Sequence, residues 1–347
     1  MNRKLVFWVA GIAALAVAPA LFYPIILMKI LCFALFASAF NLLVGYTGLL
    51  SFGHAAFFGT AGYMLGISTK TWGWSPEAGL LFGIAVATLL GVLVGAIAIR
   101  RQGIYFSMIT LALSQLLYFV FLQIESLGRD DGFQGIPRGK LFGVFDLADD
   151  ITMYAVVAIC FVLAIAAVVR VVSSPFGQVL EAIRENEPRA ISLGYPVNRF
   201  KLLAFVLSAT LAGLAGGLKA LVIGYESLVD LHWSTSGDVI LMTLLGGMGT
   251  ILGPIVGASF VITLQNWLAD KVGEWVSVII GVIFLACVMA FRKGFVGEGH
   301  ALYCRLQGWR KRDVADATTA AESGALPEPG KTKINALHAP AQWGPPA

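Results

Sequence analysis

The sequence predicts an all-α membrane protein, a polytopic transmembrane helical bundle with about 9–10 membrane segments, some of them broken or re-entrant. Of its 347 residues, 58% are hydrophobic and only 13% are charged, whereas soluble domains carry about 25% charged residues. Seven long runs lack Asp, Glu, Lys and Arg altogether: 30–69, 78–99, 102–124, 151–169, 202–218, 239–269 and 275–291. Apolar and polar residues do not alternate along these runs, which argues against the strands of a membrane β-barrel.

The N-terminal half of the chain contains a series of predicted spans. Residues 1–24 resemble a signal peptide, with Arg3 and Lys4 ahead of an apolar run, but the next apolar run follows at once, so we expect a retained first span at about 5–22. The next predicted spans are 25–44, 50–68, 77–99 and 103–122. Because glycine is dense around the start of the 50–68 span and is unfavourable inside helices, we expect that span to begin in a non-ideal conformation.

Two polar segments interrupt the middle of the chain. Residues 123–150 carry six acidic residues against three basic ones, and residues 173–199 are rich in arginine. Predicted spans at 151–171 and 202–222 flank the second segment. Because cytoplasmic loops of membrane proteins are enriched in Lys and Arg, the 173–199 segment is predicted to be cytoplasmic and the acidic segment external.

The apolar run 239–269 is 31 residues long, and the sequence GGMGTILGP interrupts it. That length is too great for one simple span, so we predict two passes, at about 239–250 and 251–268, with a helix break near Gly246–Pro254. Helix packing is the other reading of these glycines. After a last span at about 276–291, two passes return the basic C-terminus to the cytoplasmic side, where the N-terminus is also predicted to lie.

These boundaries define one membrane domain, residues 1–296, and a tail. Residues 297–347 are rich in Ala, Pro, Thr and charge, which predicts a mostly disordered cytoplasmic tail.

The 173–199 segment has the pattern of two short helices. Ser174 and Pro175 suit the start of the first helix, and Pro188 is predicted to break it. The first helix carries an apolar stripe at helical spacing: Phe176, Val179, Leu180 and Ile183. A second helix at about 189–193 would stop at Gly194. The pair fits a docking element for a partner, or an amphipathic element resting on lipid headgroups.

Some polar residues inside the apolar runs are candidate functional groups. Residues 30–69 contain no Asp, Glu, Lys or Arg and a single histidine, His54. His54 is either a functional group or, as we favour, a buried packing element. Asn41 and Ser51 fit polar contacts between helices. The four cysteines have no metal-like spacing, and no phosphate-binding G-x-x-x-x-G-K-[ST] motif occurs. We therefore predict a protein that is not an enzyme and that binds neither a metal nor nucleic acid.

Four ordered motifs resemble the permease subunits of branched-chain amino acid ABC importers, in particular their LivM branch. They are NLLVGYTGLLSFGHAAFFGTAGY (41–63), DDGFQGIP (130–137), EAIRENEPRAISLGYPVNRFKLLAFVLSATLAGLAGGL (181–218) and LLGGMGTILGPIVGA (244–258). The acidic loop departs from the family pattern, because Arg129 and Asp130 stand where Gly-Gly is usual. The resemblance implies a second, LivH-like permease subunit, two ATP-binding cassette subunits that bind the ATP, a periplasmic substrate-binding protein and the bacterial inner membrane.

The resemblance also implies roles for individual residues. It places the ATPase-coupling residues in the 173–199 segment: Glu181, Ala182, Arg184, Glu185, Glu187 and Gly194. With the residue patterns above, it gives candidates for the pathway and the helix break: Asn41, Gly45, Ser51, His54, Gly246, Gly247, Gly249 and Pro254. Asp130 and Asp131 are candidate contacts for the binding protein. The apolar stripe is predicted to fill a cleft in an ATPase.

Other functions remain open at this point. Permeases for urea or short amides resemble this family closely. An ion-coupled secondary transporter is a different class, but it would need paired carboxylates within the membrane, and the charge-free runs contain none. A membrane enzyme would need a catalytic cluster, which His54 alone does not provide.

Overall fold

A computed structural model describes residues 11, 13, 15, 17–20, 23–143, 145–290 and 294–298, with a few side chains among them undescribed. The predicted first span lies largely outside the described residues, although those described between 11 and 20 are helical. Nearly all of the predicted tail, 297–347, also lies outside them.

The described residues form a helical bundle. Its helices are α1 (Pro24–Thr47), α2 (His54–Lys70), α3 (Pro76–Ala98), α4 (Ile104–Gln123), α5 (Asp150–Val172), α6 (Pro175–Glu185), α7 (Glu187–Ser192), α8 (Val197–Ile223), α9 (Trp233–Gly246), α10 (Gly253–Val272) and α11 (Val276–Ala290). Within the described residues, five helices are long and apolar enough to cross a membrane: α1, α3, α4, α5 and α8. The prediction of an all-α polytopic bundle is confirmed.

The bundle has inner and outer helices. In their most apolar stretches, α1 and α8 bury 72% and 67% of their residues, whereas α3, α4 and α5 bury only 22–28%. The outer helices expose leucines such as Leu89, Leu116 and Leu163, as expected of surfaces that face lipid. A Cβ at Gly216 of α8 would lie 1.9 Å from the Phe58 carbonyl oxygen of α2, so glycine permits the close contact of these inner helices.

The third predicted span begins late. The chain leaves α1 at Gly48, in the left-handed region, and stays non-helical until His54. The 17-residue α2 is about 26 Å long, somewhat less than the roughly 30 Å hydrocarbon core. The expected non-ideal start is therefore present.

The predicted split of 239–269 is also present. Helices α9 and α10 are joined by a turn at 247–252, in which Gly247 and Gly249 have φ values of 113° and 74°. A Cβ at Gly246 would lie 1.8 Å from the Gly253 carbonyl oxygen, and one at Gly257 would lie 1.8 Å from the Met242 carbonyl oxygen. These nested pairs show that α9 and α10 form a tight antiparallel hairpin.

The 173–199 segment forms α6 and α7, but one local prediction was wrong. Asn186, not Pro188, separates the helices: it ends α6, and its side chain caps α7 by accepting a 3.0 Å hydrogen bond from Arg189 N–H. Pro188 lies in the first turn of α7, where its missing N–H does no harm. Ser174 and Pro175 stand at the start of α6 as predicted, although the Ser174 hydroxyl donates to the Val171 carbonyl and does not accept from the helix.

The loops collect at two ends of the bundle. We call the end that contains 99–103, 173–196 and 247–252 the basic end, and the end that contains 124–149 and 224–232 the acidic end. At the acidic end, β1 (Phe133–Gln134) pairs with β4 (Tyr225–Glu226), and β2 (Lys140–Leu141) pairs with β3 (Phe145–Asp146). Both pairs are antiparallel. The β1–β4 pair joins the acidic segment to the chain that follows α8.

Candidate coupling site

Arg184 joins the predicted coupling segment to the inner helices. Its guanidinium donates a hydrogen bond to the Gly45 carbonyl of α1. A Cβ at Gly48 would lie 3.1 Å from Cγ of Arg184, and one at Gly249 would lie 3.3 Å from its Nη1. Arg184 therefore lies between the end of α1 and the α9–α10 turn, against residues predicted to form the helix break.

Asn41 binds the same turn from α1. Its side-chain N–H donates to the Thr250 carbonyl at 2.9 Å, and its Oδ1 accepts from Gly249 N–H at 2.9 Å. A Cβ at Gly45, one turn later, would lie 2.7 Å from the Gly249 nitrogen. We call Arg184, Asn41, Gly45 and the turn 247–250 the Arg184 cluster. The cluster brings together Arg184, which was predicted to couple the permease to the ATPase, and residues that were predicted to form the pathway and the helix break.

Glu187 makes a second connection from the coupling segment. Its Oε1 accepts hydrogen bonds from Lys201 Nζ of α8 at 2.6 Å and from Gln102 Nε2 at 2.8 Å. Lys201 is only 3% exposed, so this pair is partly shielded from solvent and is screened less by salt than an exposed ion pair. Glu187 thus ties α7 to α8 and to the loop between α3 and α4.

The apolar stripe of α6 does not face a partner. Leu180 and Ile183 are buried at 0% and 3% exposure, and Ile183 packs with Ala190 and Val197 of the same chain. The Phe176 ring stacks on Phe200 at 5.5 Å. The prediction that this stripe fills an ATPase cleft was therefore wrong, because it closes the gap between the two short helices and α8.

A different apolar surface is exposed at the basic end. Ile191, Leu193 and Tyr195 are 55%, 69% and 43% exposed, and they surround Gly194, which ends α7 with a φ of 86°. Glu181, Ala182 and Glu185 are exposed on α6 beside them. The sequence reasoning missed the three apolar residues because they lie on the end of α7 and the turn after it, outside a helical stripe.

The remaining candidate residues lie apart from the Arg184 cluster. His54 is fully buried, its Nε2 lies 2.7 Å from Ser208 Oγ, and the rings of Phe40, Phe57 and Phe205 meet it edge-on. Buried Ser51 accepts a hydrogen bond from Gly53 N–H. Pro254 stands in the first turn of α10. These surroundings support a packing role for His54.

Asp130 and Asp131 lie at the acidic end of the bundle. They belong to a short 3-10 helix, Arg129–Asp131, just before β1, and Asp131 is exposed. They therefore lie at the opposite end of the bundle from the coupling residues.

Comparison with known proteins identifies the family. The model of the family described as "Branched-chain amino acid transport system / permease component" matches residues 23–288. The chain belongs to this family. Its members are permease components and not enzymes, and this chain is accordingly a multi-pass membrane protein.

The names of individual relatives state different substrates. The high-affinity branched-chain amino acid transport system permease protein LivM of Escherichia coli (strain K12) is 29% identical over 258 residues, 66% of this chain and 60% of that protein. The ribose import permease protein RbsC of Bacillus subtilis (strain 168) is 30% identical over 184 residues, 49% of this chain and 52% of that protein. The chain thus spans about 60% of the length of LivM. Among solved structures, PsaBC from Streptococcus pneumoniae in complex with Fab matches with 17% identity and a TM-score of 0.39, over 80% of this chain and 95% of that one.

Proposed function

We propose that the chain is a LivM-type permease subunit of an ABC importer that moves branched-chain amino acids across the bacterial inner membrane. Its partners are a second, LivH-like permease subunit, two ATPase subunits that bind the ATP, and a periplasmic substrate-binding protein. Residues 1–296 form the permease domain, with both termini and the 297–347 tail in the cytoplasm. The match to LivM over 258 residues supports the substrate class.

The observation that carries the coupling role is the hydrogen bond from Arg184 to the Gly45 carbonyl. Glu181, Ala182, Glu185 and the surface around Gly194 are exposed to receive a partner. Movement of α6 reaches α1 and the α9–α10 turn through Arg184 and Asn41, and movement of α7 reaches α8 through Glu187 and Lys201. Closure of the ATPase dimer would then move packed helices as units, since tightly packed interfaces transmit displacement.

The coupling role is tested with the double variant Glu181→Lys and Arg184→Glu in the complete transporter, reconstituted in proteoliposomes. Arg184→Glu replaces a donor with a carboxylate that faces the Gly45 carbonyl, and Glu181→Lys reverses a charge on the exposed rim. We expect leucine uptake to fall at least about tenfold while ATP hydrolysis continues. The reason is that a reversed charge at a complementary interface is placed beside a like charge, which costs several kcal/mol.

Arg101→Gln is the matched control, because Arg101 is an exposed arginine of the basic end that lies outside the coupling segment. It should leave uptake per ATP hydrolysed unchanged. A double variant that imports leucine at the wild-type rate would show that the segment does not couple ATP hydrolysis to transport.

Ribose import is the second candidate, since RbsC is 30% identical over 184 residues. Uptake of labelled leucine, ribose and urea by the same proteoliposomes separates the substrates. Dependence of uptake on ATP, with ion gradients dissipated, separates an ABC importer from a secondary transporter.

A further inference from the structure

Three charged side chains form a buried cluster at the acidic end of the bundle. Lys219 Nζ of α8 lies 2.6 Å from Asp230 Oδ2 and 3.2 Å from Glu226 Oε2. Exposure is 5% for Lys219, 0% for Glu226 and 9% for Asp230. We call these residues the Lys219 cluster. Taking such charges out of water is expensive, so a buried ion pair is weak grounds for stability by itself.

The two carboxylates of the Lys219 cluster differ in how well they are paired. Asp230 Oδ2 also accepts from the Ser227 N–H at 3.2 Å and from its hydroxyl at 2.8 Å. By contrast, Glu226 Oε1 has no hydrogen-bond partner among the described residues. Burial raises the pKa of the Glu226 carboxyl well above its usual range. A further cationic donor would therefore stabilise the charged form of this carboxylate strongly.

A second unpaired group lies on α2, on the residue that follows the glycine in contact with Glu226. Tyr63 of α2 is fully buried, and its hydroxyl has no hydrogen-bond partner among the described residues. The backbone of α2 approaches Glu226 closely, because a Cβ at Gly62 would lie 2.5 Å from the Glu226 Cδ. The unpaired acceptor and the unpaired hydroxyl thus belong to two elements in contact, β4 and α2.

The position of this region matches the side that receives substrate in the proposed function. Glu226 belongs to β4, which pairs with β1, and Phe133 of β1 lies directly opposite Glu226. The strand β1 follows immediately after Asp130 and Asp131, the candidate contacts for the binding protein.

We propose that Glu226 and Tyr63 bind the head group of a zwitterionic α-amino acid during its passage. The ligand's ammonium group would donate to Glu226 Oε1, and the Tyr63 hydroxyl would donate to its carboxylate. Buried unpaired polar groups are rare in native proteins, and a ligand that completes their hydrogen bonds accounts for both at once. This inference rests on the proposed function. It concerns the ammonium and carboxylate groups of the substrate, which a sugar lacks.

Tyr63→Phe in the complete transporter is the sharpest test. If the hydroxyl serves only the fold, its removal deletes an unpaired buried polar group, so the variant should melt at the wild-type temperature or above it and transport normally. If the hydroxyl binds substrate, the variant should fold as well as wild type and bind leucine at least about tenfold more weakly. Binding of labelled leucine to the purified transporter without binding protein, together with its melting temperature, gives both readouts.

Glu226→Gln is the second variant, with the same expected loss of leucine binding. Tyr154→Phe and Glu125→Gln are the controls: Tyr154 donates its hydroxyl to the Leu15 carbonyl, and Glu125 is an exposed carboxylate of the acidic end. Both controls should keep wild-type binding. In competition, 3-methylbutylamine and 4-methylpentanoate, which each keep one charged group of leucine, should bind more weakly than leucine.

The two proposals fail in different ways. Wild-type transporter that imports ribose and no leucine overturns the proposed function and this site with it. Leucine import by the wild type, with Tyr63→Phe binding leucine equally well, overturns the site alone.

Discussion

Asn41 uses its whole amide to bind the turn between α9 and α10. Its donor and its acceptor reach two adjacent residues, Thr250 and Gly249. Asn41 is 3% exposed, so its side chain cannot readily exchange these bonds for water. One side chain of α1 therefore fixes the position of a turn more than 200 residues away in sequence.

Asn41→Asp keeps the size of this side chain and removes its donor. The carboxylate still accepts from Gly249 N–H, but it faces the Thr250 carbonyl without a proton. We expect a loss of about 1–3 kcal/mol of stability, because a buried acceptor is left unpaired. The melting temperature of the detergent-solubilised protein measures it, with Asn198→Asp at an exposed position as the control. Equal melting of the Asn41→Asp variant and the wild type would show that the turn does not depend on Asn41.

At the scale of the residue, the sequence indicated types of contact but not partners. Polar contacts between helices were predicted for Asn41 and packing was favoured for His54. Their partners, Gly249 and Ser208, lie in motifs that local pattern cannot connect. Buried Lys219 was missed because it stands just beyond a charge-free run, and Glu226 was missed because it lies between two predicted spans, where a charge ordinarily marks a solvated loop.

Among the elements, the α9–α10 hairpin depends most directly on glycine. Gly246 lies against Gly253 so closely that a Cβ would be 1.8 Å from a carbonyl oxygen. Gly246→Ala should therefore separate the two helices and destabilise the protein by about 1–3 kcal/mol or more. Gly237 lies in the same helix with nothing within 4 Å of its would-be Cβ.

Gly237→Ala is accordingly the matched control for that prediction. Alanine is the better helix former by about 1 kcal/mol, so this variant should be neutral or more stable. Gly246→Ala should melt below the wild type, whereas Gly237→Ala should melt at the wild-type temperature or above it. A Gly246→Ala protein as stable as Gly237→Ala would refute close packing of the hairpin.

Element boundaries followed from the sequence where length and charge decided them. Spans at 25–44, 77–99, 103–122 and 151–171 agree with α1, α3, α4 and α5 to within a few residues. Span length and charge parity also placed the break between α9 and α10. The direction of the α6 stripe was not predictable in this way, because an amphipathic helix shows which face is apolar and not whether a partner or its own chain covers it.

For the molecule as a whole, charge is separated between the two ends. The basic end presents exposed Arg100, Arg101 and Arg189, whereas the acidic end presents exposed Glu125, Asp131 and Asp146. The coupling segment and the Lys219 cluster therefore lie at opposite ends of one packed bundle. In an importer, this arrangement places substrate reception and ATPase docking on opposite sides of the membrane.

The positive-inside tendency turns this separation into a prediction of orientation. Single cysteines at Asp131 and Arg189 would stand at exposed positions of the two ends, in a background whose native cysteines are replaced by alanine. A membrane-impermeant maleimide should label Asp131→Cys in intact spheroplasts, because the acidic end faces outward. It should label Arg189→Cys only after the membrane is permeabilised, because the basic end faces the cytoplasm. Labelling in the reverse order would invert the topology and would remove the coupling segment from the reach of any cytoplasmic ATPase.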